Sequence, residues 1–290
     1  MLNRIKTVVF MSVLTALFLW LGQVLGGNAG AAIALGFAAV MNLGVYWFSD
    51  QIVLRMYNAQ RIGPANAPEL YSMVRDLTLR ARLPVPEIFL IPEAAPNAFA
   101  TGRDPKHSSI AVTQGLLSML NRDEIRSVIA HELGHIRNRD TLIMTVAATL
   151  AGGLSHIANM AMWAAFFGGG AHLEEEDSGH PAAALLALII APIAATLIQL
   201  AISRTREFLA DEAGARMSEN PLALARALQK LEFARNRVPM QHGNPATAHL
   251  FIVNPFVAGG LVKLFSTHPS TQERIARLES MVTRRSPLAA

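Results

Sequence analysis

Cysteine is absent from the 290 residues, which excludes disulfides and all thiolate chemistry, catalytic or metal-binding. Charge is scarce too. Only 16% of residues are Asp, Glu, Lys or Arg, whereas soluble domains carry about a quarter. Hydrophobic residues make up 52%, and the mean hydropathy is +0.32. The shortage of charge is concentrated in a few stretches. Residues 7–26, 27–49 and 181–203 contain no charged side chain, and 142–171 has His156 as its one titratable group. Each stretch is long enough to cross a hydrocarbon core of about 30 Å as a helix. There is no internal repeat and no low-complexity tail.

These stretches predict four transmembrane helices, at about 7–26, 30–49, 142–165 and 182–203. Arg4 and Lys6 imitate the basic start of a cleaved leader. The apolar run that follows is longer than a leader's core, and a second span comes almost at once, so an uncleaved hairpin is expected. Orientation follows from a further absence. Neither "GGNAG", between the first two spans, nor "HLEEEDSGH" (172–180), between the last two, contains Lys or Arg. All 25 basic residues lie in the N-terminal tip, in 50–141 or in 204–290. Basic flanks are retained in the cytoplasm, so both termini and both large polar segments are expected there.

The domain reading is therefore a hairpin at 1–49, a second hairpin at 142–203, and one cytoplasmic domain in two parts, 50–141 and 204–290. The inner portion sets 25 basic residues against 17 of the 21 acidic ones. That excess suits orientation and attraction to the anionic headgroups of a lipid bilayer. Nucleic acid is not expected as a partner, because no basic module interleaved with aromatics is present.

Within the polar segments, "PELYSMVRDLTLRARL" (68–83) places Leu70, Met73, Val74, Leu77 and Ala81 on one helical face. "VPEIFLI" reads as a buried strand stopped by Pro92, and "NAFATGR" (97–103) with "SSIAVT" (108–113) as a strand pair around "DPKH". Asn121 and Glu124 form a capping box for the next helix. Asn220 and Pro221 start another helix, and Ser270 with Glu273 caps a closing one. Residues 238–269, rich in Pro, read as loop. The fold class is thus a mainly α membrane protein with an α+β cytoplasmic domain holding a small sheet.

The helix capped by Asn121 carries "HELGH". His131 and His135, four residues apart, project from one face and can share one ion, zinc taking imidazole nitrogen at about 2.0–2.1 Å. Glu132 is turned roughly 100° away, beside the ion, where it can take a proton from an attacking water. A catalytic zinc wants a third protein ligand. His172, Glu174, Glu175, Glu176 and His180 fall on the wrong side of the bilayer. "REFLAD" begins just after the fourth span as "HELGH" ends just before the third, so Glu207 can meet the histidines at one inner surface. Its alternative is a surface ion pair with Arg204 or Arg206. Asp211, one turn further on, suits a partner that fixes a histidine tautomer.

"HELGH" followed by "SRTREFLADEAGA", with "PNAFATG" upstream and "STHPSTQERIARL" downstream, resembles the HtpX family, and more distantly the CAAX prenyl proteases. The resemblance spans nearly the whole chain. It implies a zincin-like, heat-shock-type zinc endopeptidase of the bacterial inner membrane, with one Zn2+ per chain held by His131, His135 and Glu207, and with Glu132 as the base. Its implied partners are misfolded membrane proteins or unfolded polypeptides, with overlap of function with other membrane proteases. The family commonly has Pro where this chain has Ser270.

Less is fixed for substrate and transition state. Asn97, Ala98, Phe99, Ala100 and Thr101 could offer an exposed strand edge on which a substrate adds as a further strand; the alternative is an ordinary hairpin strand. His268 and Arg204 are the candidates for a donor to the oxyanion, with a cap or a structural ion pair as the alternative for either. The loop at 238–266 is placed to cover the cleft. His156 is read as packed within its span, and Pro192 as a tolerated bend. The glycines at 168–170 lack the strand and the Lys-Ser/Thr of a phosphate loop. An intramembrane protease would bury its histidines within a span, whereas Arg126, Arg137, Arg139 and Asp140 surround these. A non-catalytic membrane holdase that keeps the metal site is the rival of another class.

Overall fold

The computed structural model describes residues 2–152, 204–240, 244–256 and 269–283. Helix α1 (Leu2–Met56) is two helices joined by a kink at Gly26 and Gly27. Gly27 has φ 58° and ψ −146°, a conformation that only glycine adopts without strain. The chain doubles back there. Gly22 and Gly30 approach so closely that a Cβ on either would run into the other's backbone. Phe18 packs edge-on against Phe37, and Asn42 Nδ2 donates to Thr15 Oγ1 at 2.8 Å.

The outer faces of this hairpin are apolar. Trp20, Ile33, Val40 and Leu43 are each more than 60% exposed. Polar contact inside and hydrocarbon outside suits a lipid solvent and would be costly in water. Among the described residues, Gly26–Met56 is long and apolar enough to cross a membrane, and Thr7–Trp20 and Thr141–Gly152 are shorter apolar helices. The rest of the expected third span and all of the fourth lie outside the described residues, with His156, the glycines at 168–170, the 172–180 loop and Pro192.

The second half of the hairpin does not stop at residue 49. It runs on to Met56, and Val53, Leu54 and Tyr57 are buried in the polar domain. The sheet has the order β1-β2-β4-β3, from β1 (Gln60–Ile62), β2 (Glu87–Ile91), β3 (Ala98–Asp104) and β4 (His107–Thr113). β2 and β4 are parallel and the other pairs antiparallel. β1 was not foreseen; Gln60 and Arg61 are exposed and show no apolar alternation.

Helix α2 (Pro68–Ala81) buries Leu70, Met73, Val74 and Leu77. Helix α3 (Gln114–Met119) starts directly from β4, with Thr113 Oγ1 accepting from the Leu116 amide at 3.1 Å. Both bonds of the capping box at α4 (Arg122–Asn138) are made, at 2.9 and 3.0 Å. Glu124 also accepts from Lys230 Nζ at 2.7 Å, tying α4 to a helix later in the chain.

Helix α4 ends at Arg139, a non-glycine residue in the left-handed region at φ 56°. A new helix, α5 (Thr141–Gly152), begins after Asp140. Later come α6 (Arg204–Ser218), α7 (Pro221–Arg235), a 3-10 turn (Pro245–Leu250) inside the stretch read as loop, and α8 (Thr271–Thr283). Ser270 Oγ accepts from the Glu273 amide at 3.2 Å.

One core lies between α2, the sheet, α4, α7 and α8, centred on Leu77, Ile110, Ile129, Leu133 and Leu228. A second joins the end of α1, β3, α5 and the 3-10 turn. Tyr57, Phe99 and Phe251 pack edge-on or tilted at its heart with ring centroids 5.1 to 5.8 Å apart. Burying such a side chain stabilises by about 1.5–3 kcal/mol. The site lies between the two cores.

Candidate metal centre

Helices α4 and α6 cross at glycines. A Cβ on Gly134 would stand 3.1 Å from the Ala210 backbone, and one on Gly214 2.8 Å from the backbone of His131. Small residues thus let α6 lie directly on the turn of α4 that carries the histidines, and Glu207 reaches them from α6. Ligand-capable atoms of His131, His135 and Glu207 all lie within 4.8 Å of one another. His131 Nε2 and His135 Nε2 are 3.2 Å apart, and the Glu207 oxygens lie 3.9 and 3.7 Å from them. A tetrahedral zinc with bonds of about 2.0–2.1 Å sets its ligand atoms roughly 3.3 Å apart. The three donors fit such an ion with little adjustment.

Each ring is held from behind. His135 Nδ1 is 3.2 Å from both oxygens of Asp140, and His131 Nδ1 stands 2.9 Å from Asp211 Oδ1, in ion-pair reach though off the line of a well-formed hydrogen bond. A carboxylate on Nδ1 places the proton there and presents Nε2 as a lone pair toward the common centre. Arg274 of α8 completes the surround. Its Nε and Nη2 donate to Asp211 at 2.8 and 2.7 Å, and Nη1 lies 3.5 Å from Glu207.

Carboxylates outnumber guanidiniums in the buried site. Four buried carboxylates, Glu132, Asp140, Glu207 and Asp211, stand against two buried guanidiniums, Arg206 and Arg274. Burial pushes the Glu132 carboxyl up to about 8. Burial alone would lower His135, but Asp140, then Glu207 and Glu132, raise it to about 10. His131 is lowered by its own burial, against the pull of Asp211. Glu132 is 1% exposed. The Ala100 amide lies near enough to favour its charged form, yet neither oxygen has a well-formed hydrogen bond. A carboxylate left this way accepts a proton readily from a water placed beside it.

The remaining expected residues fare differently. Arg204 is exposed at the first residue of α6, and it is Arg206 that is turned inward, toward Asp140 and Glu207. Glu207 is 4% exposed, so a surface ion pair is not its environment. His268 lies outside the described residues. Asn97, Ala98, Phe99, Ala100 and Thr101 do lie at the start of the sheet's edge strand, β3. All five residues are buried, and two of the carbonyls on that edge are already paired. The Ala98 carbonyl accepts from the Ile252 amide at 3.1 Å, and the Gly102 carbonyl from Thr141 Oγ1 at 2.9 Å. Asn97 Nδ2 donates to the Val253 carbonyl at 2.7 Å, and Thr101 Oγ1 pairs with Thr145 Oγ1 at 2.9 Å. The chain itself therefore occupies that edge at Ala98 and at Gly102.

Sequence reasoning missed Asp140, Arg206 and Arg274 as members of the cluster. Arg274 carried a readable signal. It shares with Leu278 and Met281 the inward face of α8, where a cation has no place unless anions wait for it.

The chain is similar to known peptidases. Residues 64–282 match the profile of Peptidase family M48. The chain is 56% identical over 280 residues to a protease HtpX homolog of Syntrophobacter fumaroxidans, covering 96% of this chain and 99% of that one. It is 53% identical to a protease HtpX homolog of Pyrococcus furiosus, at 96% and 95% coverage. The crystal structure of S. mikatae Ste24p is similar in fold, with TM-score 0.50 and 19% identity, over 96% of this chain and 65% of that one.

Proposed function

The chain belongs to peptidase family M48 and is a membrane metalloendopeptidase, and from that premise we propose that it is a zinc enzyme cleaving misfolded or damaged membrane proteins at the cytoplasmic face of a bacterial inner membrane. The observation that carries this reading is the convergence of His131, His135 and Glu207 beside the unbonded carboxylate of Glu132. In this reading the chain crosses the bilayer four times, with 50–141 and 204–290 forming one cytoplasmic domain. The two loops without Lys or Arg support that orientation.

His131, His135 and Glu207 hold the ion, which when bound supplies Lewis acidity to the water and the scissile carbonyl. Asp211 and Asp140 keep the two imidazoles in the donor tautomer. Glu132 takes the proton of the attacking water and delivers it to the leaving amine. Arg274 neutralises Asp211 and part of the charge of Glu207, so the carboxylates do not repel one another in the buried site. His268, just ahead of α8, and Arg204 are the candidates for the oxyanion donor. The substrate pairs along β3 after residues 251–253 leave that edge, which favours extended, unfolded chains over folded ones.

The test is cleavage of an unfolded membrane protein by chain purified in detergent under chelation, with and without added zinc. Zinc-dependent cleavage, lost in Glu132→Gln while that variant still binds zinc, supports peptidase and base together. Zinc binding without cleavage in both would favour a holdase.

A further inference from the structure

We propose that the inner lip of the first hairpin is a binding site for an anionic phospholipid, its phosphate held between Arg103 and Arg139 and one acyl chain lying in the groove between the hairpin's two helices. The site rests on the reading that this hairpin lies in a bilayer. Two adjoining cavities define it.

The first, about 350 Å3, lies where Thr7, Tyr46, Arg103, Arg139 and Leu142 meet, so the N-terminal helix, the end of β3 and the start of α5 all contribute walls. The second, about 500 Å3, runs along the hairpin past Thr15, Leu19 and Leu43. Both are lined by Val8, Met11 and Tyr46, so one continuous trough leads from a basic mouth to an apolar body.

The mouth suits a phosphate. Arg139 is exposed at the left-handed C-cap of α4 and makes no ion pair among the described residues. The Arg103 guanidinium lies 4.7 Å over the Trp47 ring, which orients it, and its one carboxylate neighbour is Asp104, at the outer limit of an ion pair. Asp104 does line the mouth, but its carboxylate is committed elsewhere. It accepts from the amides of Lys106 and His107 at 2.8 and 3.1 Å and stands 2.9 Å from His107 Nδ1, so it is 3.9 Å from Arg103. Exposed Lys106 adds a further cation on the same turn.

The trough suits hydrocarbon. Thr15 and Asn42, two of its polar groups, are satisfied within the hairpin: Thr15 Oγ1 donates to the Met11 carbonyl at 2.9 Å and accepts from Asn42 at 2.8 Å. The remaining lining is apolar apart from Ser12 and Tyr46. Tyr46 and Trp47 stand at the junction, at the depth where aromatic side chains mark a membrane interface. A free phosphate would use the mouth and leave the trough without a function, so charge and shape together select a phospholipid.

The experiment is native mass spectrometry of the full-length protein in mild detergent, titrated with phosphatidylglycerol or with phosphatidylcholine of the same chains. Phosphatidylglycerol should be retained in preference. Arg103→Ala and Arg139→Ala should each lower that retention about five-fold, and Arg103→Lys should keep most of it. Leu43→Trp, at a position 62% exposed, should fill the trough and lower retention of both lipids with the basic mouth intact. Zinc binding serves as the folding control for the Arg103 and Leu43 variants, and far-ultraviolet circular dichroism for Arg139→Ala, because residue 139 shapes the turn that brings Asp140 to His135. Equal retention of the two lipids, or no effect of the arginine variants, overturns the site. Displacement of the lipid by millimolar inorganic phosphate, with Leu43→Trp inert, makes it a free-anion site and overturns it equally. Alkaline washing of membranes tests the underlying reading separately: a chain that washes off refutes the bilayer placement, whereas one that stays but shows no lipid preference refutes only the site.

Discussion

Arg274 grips Asp211 with two hydrogen bonds, at 2.8 and 2.7 Å, across 63 residues of sequence. Both side chains are buried, and Arg274 also donates from Nη1 to the Ile252 carbonyl at 2.6 Å. One guanidinium therefore connects α8, the carboxylate behind His131, and the segment that covers β3. Removing one partner of a buried ion pair leaves the other charge stranded, which typically costs about 3–5 kcal/mol. Arg274→Ala should lower the unfolding midpoint sharply and weaken zinc binding. Arg274→Lys should recover part of the stability but not the two-point grip, since an ammonium cannot match both Asp211 oxygens. Thermal unfolding with parallel chelator competition checks both, and an Arg274→Ala protein as stable as the parent would refute the role.

Asp140 performs the same task for His135 from the opposite side. It reaches the ring because α4 stops at the left-handed Arg139 and the chain turns back before α5 begins. Asp140→Asn keeps the size and a weaker acceptor while removing the charge. Zinc affinity should fall about 10–100-fold, the usual penalty for losing a carboxylate behind a metal-binding histidine. The far-ultraviolet circular dichroism should not change. An unchanged affinity would mean that His135 is oriented by packing alone.

The crossing of α4 and α6 sets the distance between Glu207 and the histidines. Gly214 meets the backbone of His131, which cannot move aside as a side chain can. Gly214→Ala should push the helices apart, costing about 1–3 kcal/mol in overpacking, and separate Glu207 from His131. We expect zinc affinity to fall by more than the loss of stability explains. Gly63→Ala, where a Cβ would meet only Asn66 Oδ1 at 3.8 Å, is the control and should behave as the parent.

Much of this arrangement is written locally. Spacing of four on a helix puts His131 and His135 on one face. The Asn121 cap announces that helix, and the charge-free stretches between the two motifs are what point to Glu207 as their partner. The parts that escaped a sequence reading depend on contacts distant in sequence. Asp140 looks like one more charge beside a membrane until the turn at Arg139 folds it back. Arg274 looks like a solvated residue of an amphipathic helix until α8 docks. β1 has no apolar period, because its pairing with β2 is held by backbone bonds and by an exposed ion pair between Arg61 and Glu87 at 2.8 Å. That β3 lies at the edge follows from topology, but that residues 252 and 253 cover it is a tertiary fact with no local signature.

Glu132 is buried with neither oxygen well hydrogen-bonded, a costly state for a carboxylate unless an ion and a water stand beside it. Glu132→Gln removes, at nearly constant volume, a carboxyl that burial pushes up to about 8 and that must take up a proton to stay buried at pH 7. The metal-free variant should therefore be at least as stable as the metal-free parent at pH 7, and it should still bind zinc through His131, His135 and Glu207. Cleavage should fall by about 10²–10⁴-fold, the usual worth of a general base. A variant that melts lower, or that keeps the parent's rate, would remove Glu132 from the role of base.

The covered edge of β3 makes opposite forecasts for two roles of Asn97. Its side-chain amide holds the Val253 carbonyl at 2.7 Å, and its oxygen accepts from the Ala98 amide at 3.1 Å. If that grip keeps residues 251–253 on the edge, Asn97→Ala loosens the cover, and cleavage of an unfolded substrate should rise. Hydrogen exchange at the amides of 251–253 should quicken with it. The gain should be greatest at low substrate concentration, where displacing the cover competes with binding. If Asn97 instead holds the substrate, the same change raises KM and lowers cleavage, whatever happens to the cover. Quickened exchange with reduced cleavage would show that the segment does cover the strand, yet that Asn97 acts on the substrate. Unchanged exchange would show that Phe251, packed between Tyr57 and Phe99, holds the segment without help from Asn97. Phe251→Ala, which removes a buried aromatic worth about 3–5 kcal/mol, would then be the change that opens the site.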